Sequence, residues 1–311
     1  MEAFLADYDH GAPTAFKGIA EGVENSNFFL QTDRGRFILT LYEKRVRTDE
    51  LPFFLELMEH VNGKGIACPS PVPNRAGRAL GELNGRPAVI ITFLDGVALT
   101  QPKPLHCRSF GGATARLHDA VADFSQTRKN TLAVGGWRDL VEALGARVDD
   151  IAPGLADDLA QELDWVSAHW PAGLPTGVVH ADLFPDNVFF LGDELSGFID
   201  FYFACTDAFA YDLAICLNAW CFDARCNFVA DNARALFEGY LERRALSPAE
   251  RAALPTLARG AALRFLLTRA YDWLNRVEGA LVVPKDPLEY LRKLHFHRTA
   301  SGPETYGLES A

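Results

Sequence analysis

The sequence predicts an α+β protein with two lobes: a β-rich N-terminal lobe with one main helix, residues 1–94, and a mostly helical C-terminal lobe, residues 95–311. Two patterns support this division. Strand-like apolar segments and one helical repeat fill the first hundred residues, whereas helical periodicity fills most of the remainder. The 311 residues are 49% hydrophobic and 23% charged, which is a globular composition with enough apolar residues for a large core.

The N-terminal lobe is expected to contain a β-hairpin followed by the main helix. Two apolar segments, 28–32 and 36–42, flank a short turn that ends in glycine, a combination typical of hairpins. Thr48 is then a predicted helix cap, and Pro52 costs little in a first turn. A further strand-like segment lies at 87–93, after which the chain crosses to the second lobe.

The C-terminal lobe is predicted to be helical apart from short strands between residues 176 and 200. Its helices are expected near residues 104–123, 137–148, 153–169, 208–220, 226–244, 249–276 and 287–296. Residues 301–311 lack periodicity, so we expect disorder there. The apolar stretch 198–222 contains three aspartates, and each charge at a bilayer centre costs about 2.5–3.5 kcal/mol. We therefore interpret it as buried core rather than as a membrane span.

Charge and cysteine content exclude several classes of protein. The formal net charge is −11 and the pI about 5.2, whereas a nucleic-acid binder needs a basic face to neutralise phosphates. The six cysteines form no CxxC pair and show no spacing typical of zinc sites. The N-terminal segment MEAFLADYDHG has acids where a signal peptide has basic residues. We expect a cytoplasmic protein with reduced, mostly buried thiols and no nucleic-acid or membrane partner.

One motif in the second half of the chain predicts chemistry. His180, Asp182 and Asn187 form the pattern HxDxxxxN after an apolar strand, and a predicted hairpin then leads to Asp200. Because a hairpin returns on itself, Asn187 and Asp200 can lie close together and offer Mg²⁺ its preferred oxygen ligands. Asp182 can orient a substrate hydroxyl and accept its proton during phosphoryl transfer. A lone loop aspartate is usually a turn former or helix cap, so the prediction depends on the whole pattern.

This pattern resembles the aminoglycoside phosphotransferase and choline kinase-like family, a branch of the protein kinase-like fold, over nearly the whole chain. The resemblance implies a kinase that uses ATP and Mg²⁺, with Asp182 as catalytic base and Asn187 and Asp200 as metal ligands. His180 is expected to brace the catalytic loop. Asp212, in a Tyr-Asp-Leu-Ala segment, matches a family aspartate that we expect to brace the same loop.

The resemblance also implies where the nucleotide binds. Residues 22–28 match the family's nucleotide-covering loop, and residues 92–96 match the hinge whose main chain contacts adenine. The family usually has Lys or Arg on its third strand to contact the phosphates, but the equivalent position here is Thr40. The usual ion pair with the N-terminal helix therefore cannot form, which leaves Glu56 of that helix as a candidate surface residue. The candidate nucleotide-binding residues are Asn25, Ser26, Asn27, Thr40, Phe93 and Leu94.

Longer segments narrow the expected substrate. They resemble the bacterial homoserine kinases that share this fold, which implies L-homoserine as the small-molecule substrate and a role in threonine biosynthesis. The segments are residues 22–29, 39–43, 51–58, 199–205 and 211–222. An aminoglycoside, choline or methylthioribose is an alternative substrate. A nucleotide-binding pseudoenzyme is a second alternative, suggested by the missing lysine but opposed by the intact catalytic motif.

Homoserine is a zwitterion, so its site needs a cation for the carboxylate and an anion or carbonyl group for the ammonium. Arg264, Arg269 and Asp272 lie on one predicted helix, and residues three apart share a face. An arginine can bind a carboxylate through two parallel hydrogen bonds. We predict Arg269 and Asp272 as substrate-binding residues, with Asp207 as a further candidate. An ordinary ion pair within the helix, and core packing for Asp207, are the alternative interpretations.

Overall fold

A computed structural model describes residues 2–19, 25–42, 47–276 and 284–309, and it has the α+β architecture that the sequence predicts. The strands are β1 (Pro13–Ile19), β2 (Asn25–Thr32), β3 (Gly35–Tyr42), β4 (Leu80–Leu83), β5 (Arg86–Thr92), β6 (Val97–Ala98), β7 (Thr176–Val179), β8 (Val188–Leu191), β9 (Glu194–Phe198) and β10 (Cys205–Ala208). The helices are α1 (Glu2–Leu5), α2 (Leu51–Gly63), α3 (Pro104–Ala120), α4 (Val134–Leu144), α5 (Leu155–His169), α6 (Phe209–Trp220), α7 (Ala230–Leu241), α8 (Pro248–Leu274) and α9 (Pro287–Arg298).

The N-terminal sheet has five antiparallel strands in the order β1-β2-β3-β5-β4. The predicted hairpin is β2–β3, in which Thr32 pairs with Gly35. The predicted helix is α2, whose apolar face is buried. The prediction that Thr48 caps it is wrong. A 3₁₀ turn of residues 48–50 precedes the helix, and the N–H of Leu51 bonds to the main-chain oxygen of Thr48 rather than to its hydroxyl.

The C-terminal helices lie where their periodicity places them, and two glycines allow α3 and α7 to pack closely. A Cβ atom on Gly111 would lie 2.0 Å from the main-chain oxygen of Leu236. A Cβ atom on Gly239 would lie 2.0 Å from the main-chain oxygen of Arg108. The two helices therefore meet backbone to backbone, which no larger residue at these positions would permit.

The buried residues form two clusters that do not divide at residue 94. The smaller cluster lies on one face of the N-terminal sheet. The larger cluster combines the apolar face of α2 with residues of the C-terminal helices, so α2 packs with the second lobe. β5 ends at Thr92, and Val97 already pairs with Phe190 of β8. The division of the chain at 94 and 95 stays a prediction.

The chain beyond α9 corrects the expectation of disorder in residues 301–311. Residues 303–306 form a 3₁₀ turn, and Tyr306 and Leu308 are buried. The Tyr306 hydroxyl lies 2.9 Å from Nδ1 of His297. Residues 310 and 311 lie outside the described residues. A buried aromatic with a polar partner thus holds a segment that has no periodic pattern.

The apolar stretch 198–222 forms part of the core, as expected. It comprises a 3₁₀ turn, β10 and the almost fully buried helix α6. Within the described ranges, no helix has the length and apolar character that a membrane span requires. All six cysteines are free thiols; Cys226 is half-buried and the others are buried.

Candidate active site

The predicted catalytic loop, residues 180–187, begins where β7 ends. His180 attaches this loop to the end of β9. The buried imidazole lies with Nε2 3.0 Å from the main-chain oxygen of Ile199, so Nε2 donates to that carbonyl. Burial lowers the pKa of His180 below its ordinary value and keeps the ring neutral. Phe201 packs against the ring, with 4.7 Å between centroids. These contacts fit the predicted bracing role rather than a reactive one.

Asp212, in the first turn of α6, holds the loop through hydrogen bonds to its main chain. Its Oδ1 accepts the N–H of Ala181 at 2.8 Å, and its Oδ2 accepts the N–H of His180 at 3.2 Å. Nε2 of His118 lies 3.1 Å from the same Oδ2. Burial acts to raise the pKa of Asp212, but these hydrogen bonds and the neighbouring histidines outweigh burial and lower it. The carboxylate therefore stays ionised and fixes two consecutive N–H groups of the catalytic loop.

Ala181 has a backbone conformation that the surrounding contacts must hold. Its φ is +61°, in the left-handed region that residues other than glycine rarely adopt. Asp212 accepts its N–H, and Nη1 of Arg264 donates to its carbonyl oxygen at 2.7 Å. Such a conformation costs on the order of 1–3 kcal/mol and persists only where neighbours over-determine it. The strain lies directly before Asp182, whose position it sets.

Asp182 and Asn187 are in direct contact. Nδ2 of Asn187 donates to Oδ2 and to the main-chain oxygen of Asp182, both at 2.9 Å. These bonds orient the amide so that Oδ1 is the atom left to ligate a cation. Burial raises the pKa of Asp182 to about 7, with Arg264 opposing the rise and Asp200 adding to it. A carboxylate with a pKa near neutrality suits a general base.

Asp200 lies at the same end of the β8–β9 hairpin as Asn187. Val188 pairs with Phe198, and the N–H of Ile199 donates to the main-chain oxygen of Asn187 at 3.0 Å. Asp200 is exposed and also has a left-handed φ of +63°. In the parts of the chain described, no three His, Cys, Asp or Glu side chains cluster as metal ligands. The amide of Asn187 and the carboxylate of Asp200 fit Mg²⁺, which commonly takes few protein ligands and completes its shell with phosphate oxygens and water.

Thr40, at the position of the missing lysine, is buried in a network of neutral polar groups. Its Oγ1 donates to Oδ1 of Asn27 at 2.8 Å. The hydroxyls of Tyr42 and Tyr202 lie 2.7 Å apart beside it. No strand cation is therefore present at this point of the described sheet. Oδ1 of Asn25 is buried without a hydrogen-bond partner among the described residues.

The remaining predictions about nucleotide binding concern the covering loop at residues 22–28 and the hinge at residues 92–96. Residues 22–24 of the predicted covering loop lie outside the described residues, whereas Ser26 lies in β2. At the predicted hinge, the N–H of Phe93 donates to the main-chain oxygen of Arg36 at 3.2 Å. The N–H of Phe93 therefore extends the pairing of β5 with β3. Leu94, the next residue, is half-exposed. The hinge assignment stays a prediction.

A cavity of about 500 Å³ opens beside Asp182. Of the predicted substrate residues, Asp272 lines it, together with Arg264. The sequence did not point to Arg128 or Glu50, which also line it. Arg128 lies on the connection between α3 and α4, and Glu50 lies just before α2. Arg128 and Glu50 form an ion pair although they are distant in sequence. No local sequence motif therefore points to either residue.

The other two predicted substrate residues have partners elsewhere. Arg269 donates to Oε2 of Glu289 on α9 at 2.6 Å and lies over the ring of Tyr290, so its fork links two helices. Arg269 is not among the described residues that line the cavity, whereas Asp272 is. Asp207 accepts a hydrogen bond of 2.6 Å from Nδ2 of Asn130, and the asparagine itself lines the cavity. Glu56 is exposed and bonds to Gln126, as expected for a surface residue.

Comparison with solved structures places this arrangement in a known fold. An amicoumacin kinase, in complex with AMP-PNP, Ca²⁺ and amicoumacin, superimposes with a TM-score of 0.74 at 15% identity, over 97% of this chain and 93% of its own. A spectinomycin phosphotransferase, in complex with ADP and spectinomycin, gives 0.68 at 12% identity, over 99% and 96%. At these identities the likeness establishes the kinase-like fold alone.

Sequence comparison identifies the family. The family model described as "Phosphotransferase enzyme family" matches residues 15–246. A homoserine kinase of Xanthobacter autotrophicus is 60% identical over 308 residues, which cover 99% of this chain and 96% of its own length. One of Parvibaculum lavamentivorans is 58% identical over 310 residues, or 100% and 97%. The chain therefore belongs to the phosphotransferase enzyme family, in the branch that contains these homoserine kinases.

Proposed function

We propose that this protein transfers the γ-phosphoryl group of ATP to the side-chain hydroxyl of L-homoserine, which gives O-phospho-L-homoserine and ADP. The observation that carries the proposal is the identity of 57–60% to enzymes named homoserine kinase, over nearly the full length of both chains. The contact between Asp182 and Asn187 supports it, because it assembles the catalytic motif.

In this proposal Asp182 is the group that acts on the substrate hydroxyl. Its carboxylate accepts a hydrogen bond from the hydroxyl and aligns the oxygen with the γ-phosphorus. The bond from this oxygen to phosphorus forms as the bond from phosphorus to the bridging oxygen of ADP breaks. The hydroxyl proton passes to Asp182 and then to solvent. Asp212 and Arg264 contribute by holding the main chain of Ala181, and therefore the position of Asp182.

Asn187 and Asp200 are the residues proposed to hold Mg²⁺ with the nucleotide. The amide of Asn187 is oriented by Asp182 so that its oxygen is available, and Asp200 adds a negative charge at the same end of the hairpin. Bound Mg²⁺ would neutralise part of the charge on the phosphate oxygens. The main chain of residues 25–27 and the hinge at Phe93 and Leu94 would contact the phosphates and the adenine.

A coupled ADP-release assay tests the proposed substrate. Mg²⁺–ATP is supplied with L-homoserine, L-serine, choline, methylthioribose or kanamycin in parallel reactions. We expect turnover with L-homoserine to exceed that with every other compound by at least about two orders of magnitude in kcat/KM. Equal or greater turnover with another acceptor would keep the kinase chemistry and reject the proposed substrate.

A further inference from the structure

The cavity beside Asp182 carries charges of both signs. Arg128 and Arg264 supply two guanidinium groups, and Glu50, Asp182 and Asp272 supply three carboxylates. Its volume of about 500 Å³ lies within the range of small-molecule sites. A short substrate with an anionic and a cationic group matches this lining. A polycation or a quaternary ammonium compound could face the carboxylates but has no anionic group for the two arginines.

Arg264 is a buried cation whose hydrogen bonds to the protein are incomplete. Its relative exposure is 2%, and Nη1 donates to the neutral carbonyl of Ala181 at 2.7 Å. Its Nε–H has no hydrogen-bond partner among the described residues. The guanidinium lies over the ring of Phe265, 4.5 Å from the centroid. Removing an ion from water costs several kcal/mol unless an opposite charge compensates it, so an anionic ligand would stabilise this residue.

Arg128 is fixed on three sides in a second wall of the cavity. Nη2 donates to Oε2 of Glu50 at 2.8 Å, and Nη1 donates to the main-chain oxygen of Ala204 at 3.2 Å. The guanidinium lies 4.9 Å from the ring centroid of Phe54. Its Nε–H, like that of Arg264, has no partner in the described ranges. A guanidinium held in this way is pre-organised, so little side-chain entropy is lost when a ligand binds.

We infer that Arg128 and Arg264 together bind the α-carboxylate of the amino-acid substrate, an assignment that rests on the proposed function. The substrate hydroxyl then lies at Asp182, and the ammonium group faces the carboxylate of Asp272. The two arginines thus determine specificity: they select an acceptor alcohol that carries a carboxylate over amino alcohols that lack one. They replace Arg269, which the sequence suggested for this role and which Glu289 engages instead.

A comparison of two acceptors separates recognition of the carboxylate from general support of the loop. 3-Aminopropan-1-ol has the hydroxyl and the ammonium group of homoserine but no carboxylate. Initial rates are measured with both acceptors for the wild type, Arg128→Gln and Arg264→Gln. Arg234→Gln is the matched control, because Arg234 is exposed on α7 and its one ion pair with the described part of the chain is local, with Asp231. The KM for ATP is determined for every variant.

The inference predicts a loss that is larger for the acceptor with a carboxylate than for the acceptor without one. In each cavity variant, kcat/KM for L-homoserine should fall on the order of 10- to 100-fold, the size expected for a lost charged hydrogen bond. For Arg128→Gln, the rate with 3-aminopropan-1-ol and the KM for ATP should change less than about threefold. Arg264→Gln also removes the bond to the Ala181 carbonyl that positions Asp182, so it should slow both acceptors, with a loss for L-homoserine that exceeds the loss for 3-aminopropan-1-ol by about tenfold or more. Arg234→Gln should match the wild type with both acceptors.

Two results would overturn the inference, and a third would reject the proposed function on which it rests. An equal loss with both acceptors would make the arginines structural, and a raised KM for ATP would assign them to the phosphates. If Arg264→Gln does not fold, Arg264→Lys and Arg128→Gln decide, with a thermal melt to verify folding. A wild-type protein that is inactive on L-homoserine but phosphorylates another acceptor would reject the proposed function itself.

Discussion

The hydroxyl groups of Tyr42 and Tyr202 lie 2.7 Å apart and join the last residue of β3 to the turn that follows Asp200. Their rings meet edge to face, with 5.3 Å between centroids. This contact connects the N-terminal sheet to the proposed metal-binding end of the β8–β9 hairpin.

The Tyr42–Tyr202 contact should be measurable as a coupling energy. We expect Tyr42→Phe and Tyr202→Phe each to lower the free energy of unfolding by about 0.5–1.5 kcal/mol, because each removes the hydrogen bond between a buried tyrosine, Tyr42, and a half-buried one, Tyr202. The double variant should lose less than the sum of the two. Denaturant unfolding of the four proteins gives the cycle, and strictly additive losses would show that the hydroxyls do not interact.

Asp182 and Asp200 should fail in different ways when they are replaced. Asp182→Asn removes the proton acceptor and should lower kcat by about 10²- to 10⁴-fold while ATP still binds. Asp200→Ala removes a proposed Mg²⁺ ligand and should weaken Mg²⁺–ATP binding as well as turnover. Calorimetric titration with Mg²⁺–ATP and steady-state rates distinguish the two. Near-normal turnover in Asp182→Asn would exclude this residue as the base.

His297 should make stability depend on pH. Burial, reinforced by Lys293, lowers the pKa of His297 to about 3, whereas an unfolded histidine titrates near pH 6.5. As pH falls below about 6.5, His297 binds a proton in the unfolded chain but stays neutral in the folded protein. Stability should therefore fall with decreasing pH, by up to about 1.4 kcal/mol per pH unit from this residue.

The variant His297→Gln tests this origin of the pH dependence. Unfolding is measured between pH 7.5 and pH 5. Nε2 of His297 donates to Asn218, and glutamine can keep a donor there, so the variant should fold but lose part of the slope. His295→Gln, at an exposed site on the same helix, is the control and should keep the wild-type slope. An unchanged slope in His297→Gln would assign the pH dependence to other groups.

The close packing of α3 on α7 gives a prediction about stability. Gly239→Ala would place a methyl group against main-chain atoms of Arg108, which cannot move aside as a flexible side chain can. We expect a loss of at least about 1–3 kcal/mol in the free energy of unfolding. Gly135→Ala in α4, where a Cβ meets no atom within 4 Å, should instead be neutral or stabilise by up to about 1 kcal/mol. Equal effects of the two would contradict the packing account.

Much of the fold could be predicted because its causes are local. The β2–β3 hairpin follows from two apolar segments and a short turn, and each C-terminal helix has its own apolar repeat. The proximity of Asn187 to Asp200 could be predicted from the hairpin between them, whereas the hydrogen bonds from Asn187 to Asp182 were not predicted and are a finding of the structure. Thr48 shows the limit of local rules, because either a helix cap or a 3₁₀ turn is compatible with the sequence there.

The cavity beside Asp182 could not be predicted in the same way, because its residues meet only in the folded chain. Arg128 pairs with Glu50 from another part of the sequence, so neither belongs to a recognisable pattern. Helical spacing correctly placed Arg269 and Asp272 on one helix. It could not reveal that Glu289, on the following helix, would engage Arg269. Long-range ion pairs of this kind depend on tertiary packing, which periodicity does not encode.

Direct identification of the product tests the central claim most directly. The protein is incubated with Mg²⁺–ATP and L-homoserine, and the products are followed by ³¹P NMR with correlation to the proton spectrum, with Asp182→Asn in parallel. The proposed function predicts a phosphomonoester whose phosphorus couples to the side-chain methylene protons next to oxygen, formed in equal amount with ADP and nearly absent with the variant. Inorganic phosphate as the sole product, or a phosphomonoester formed equally well by Asp182→Asn, would contradict it.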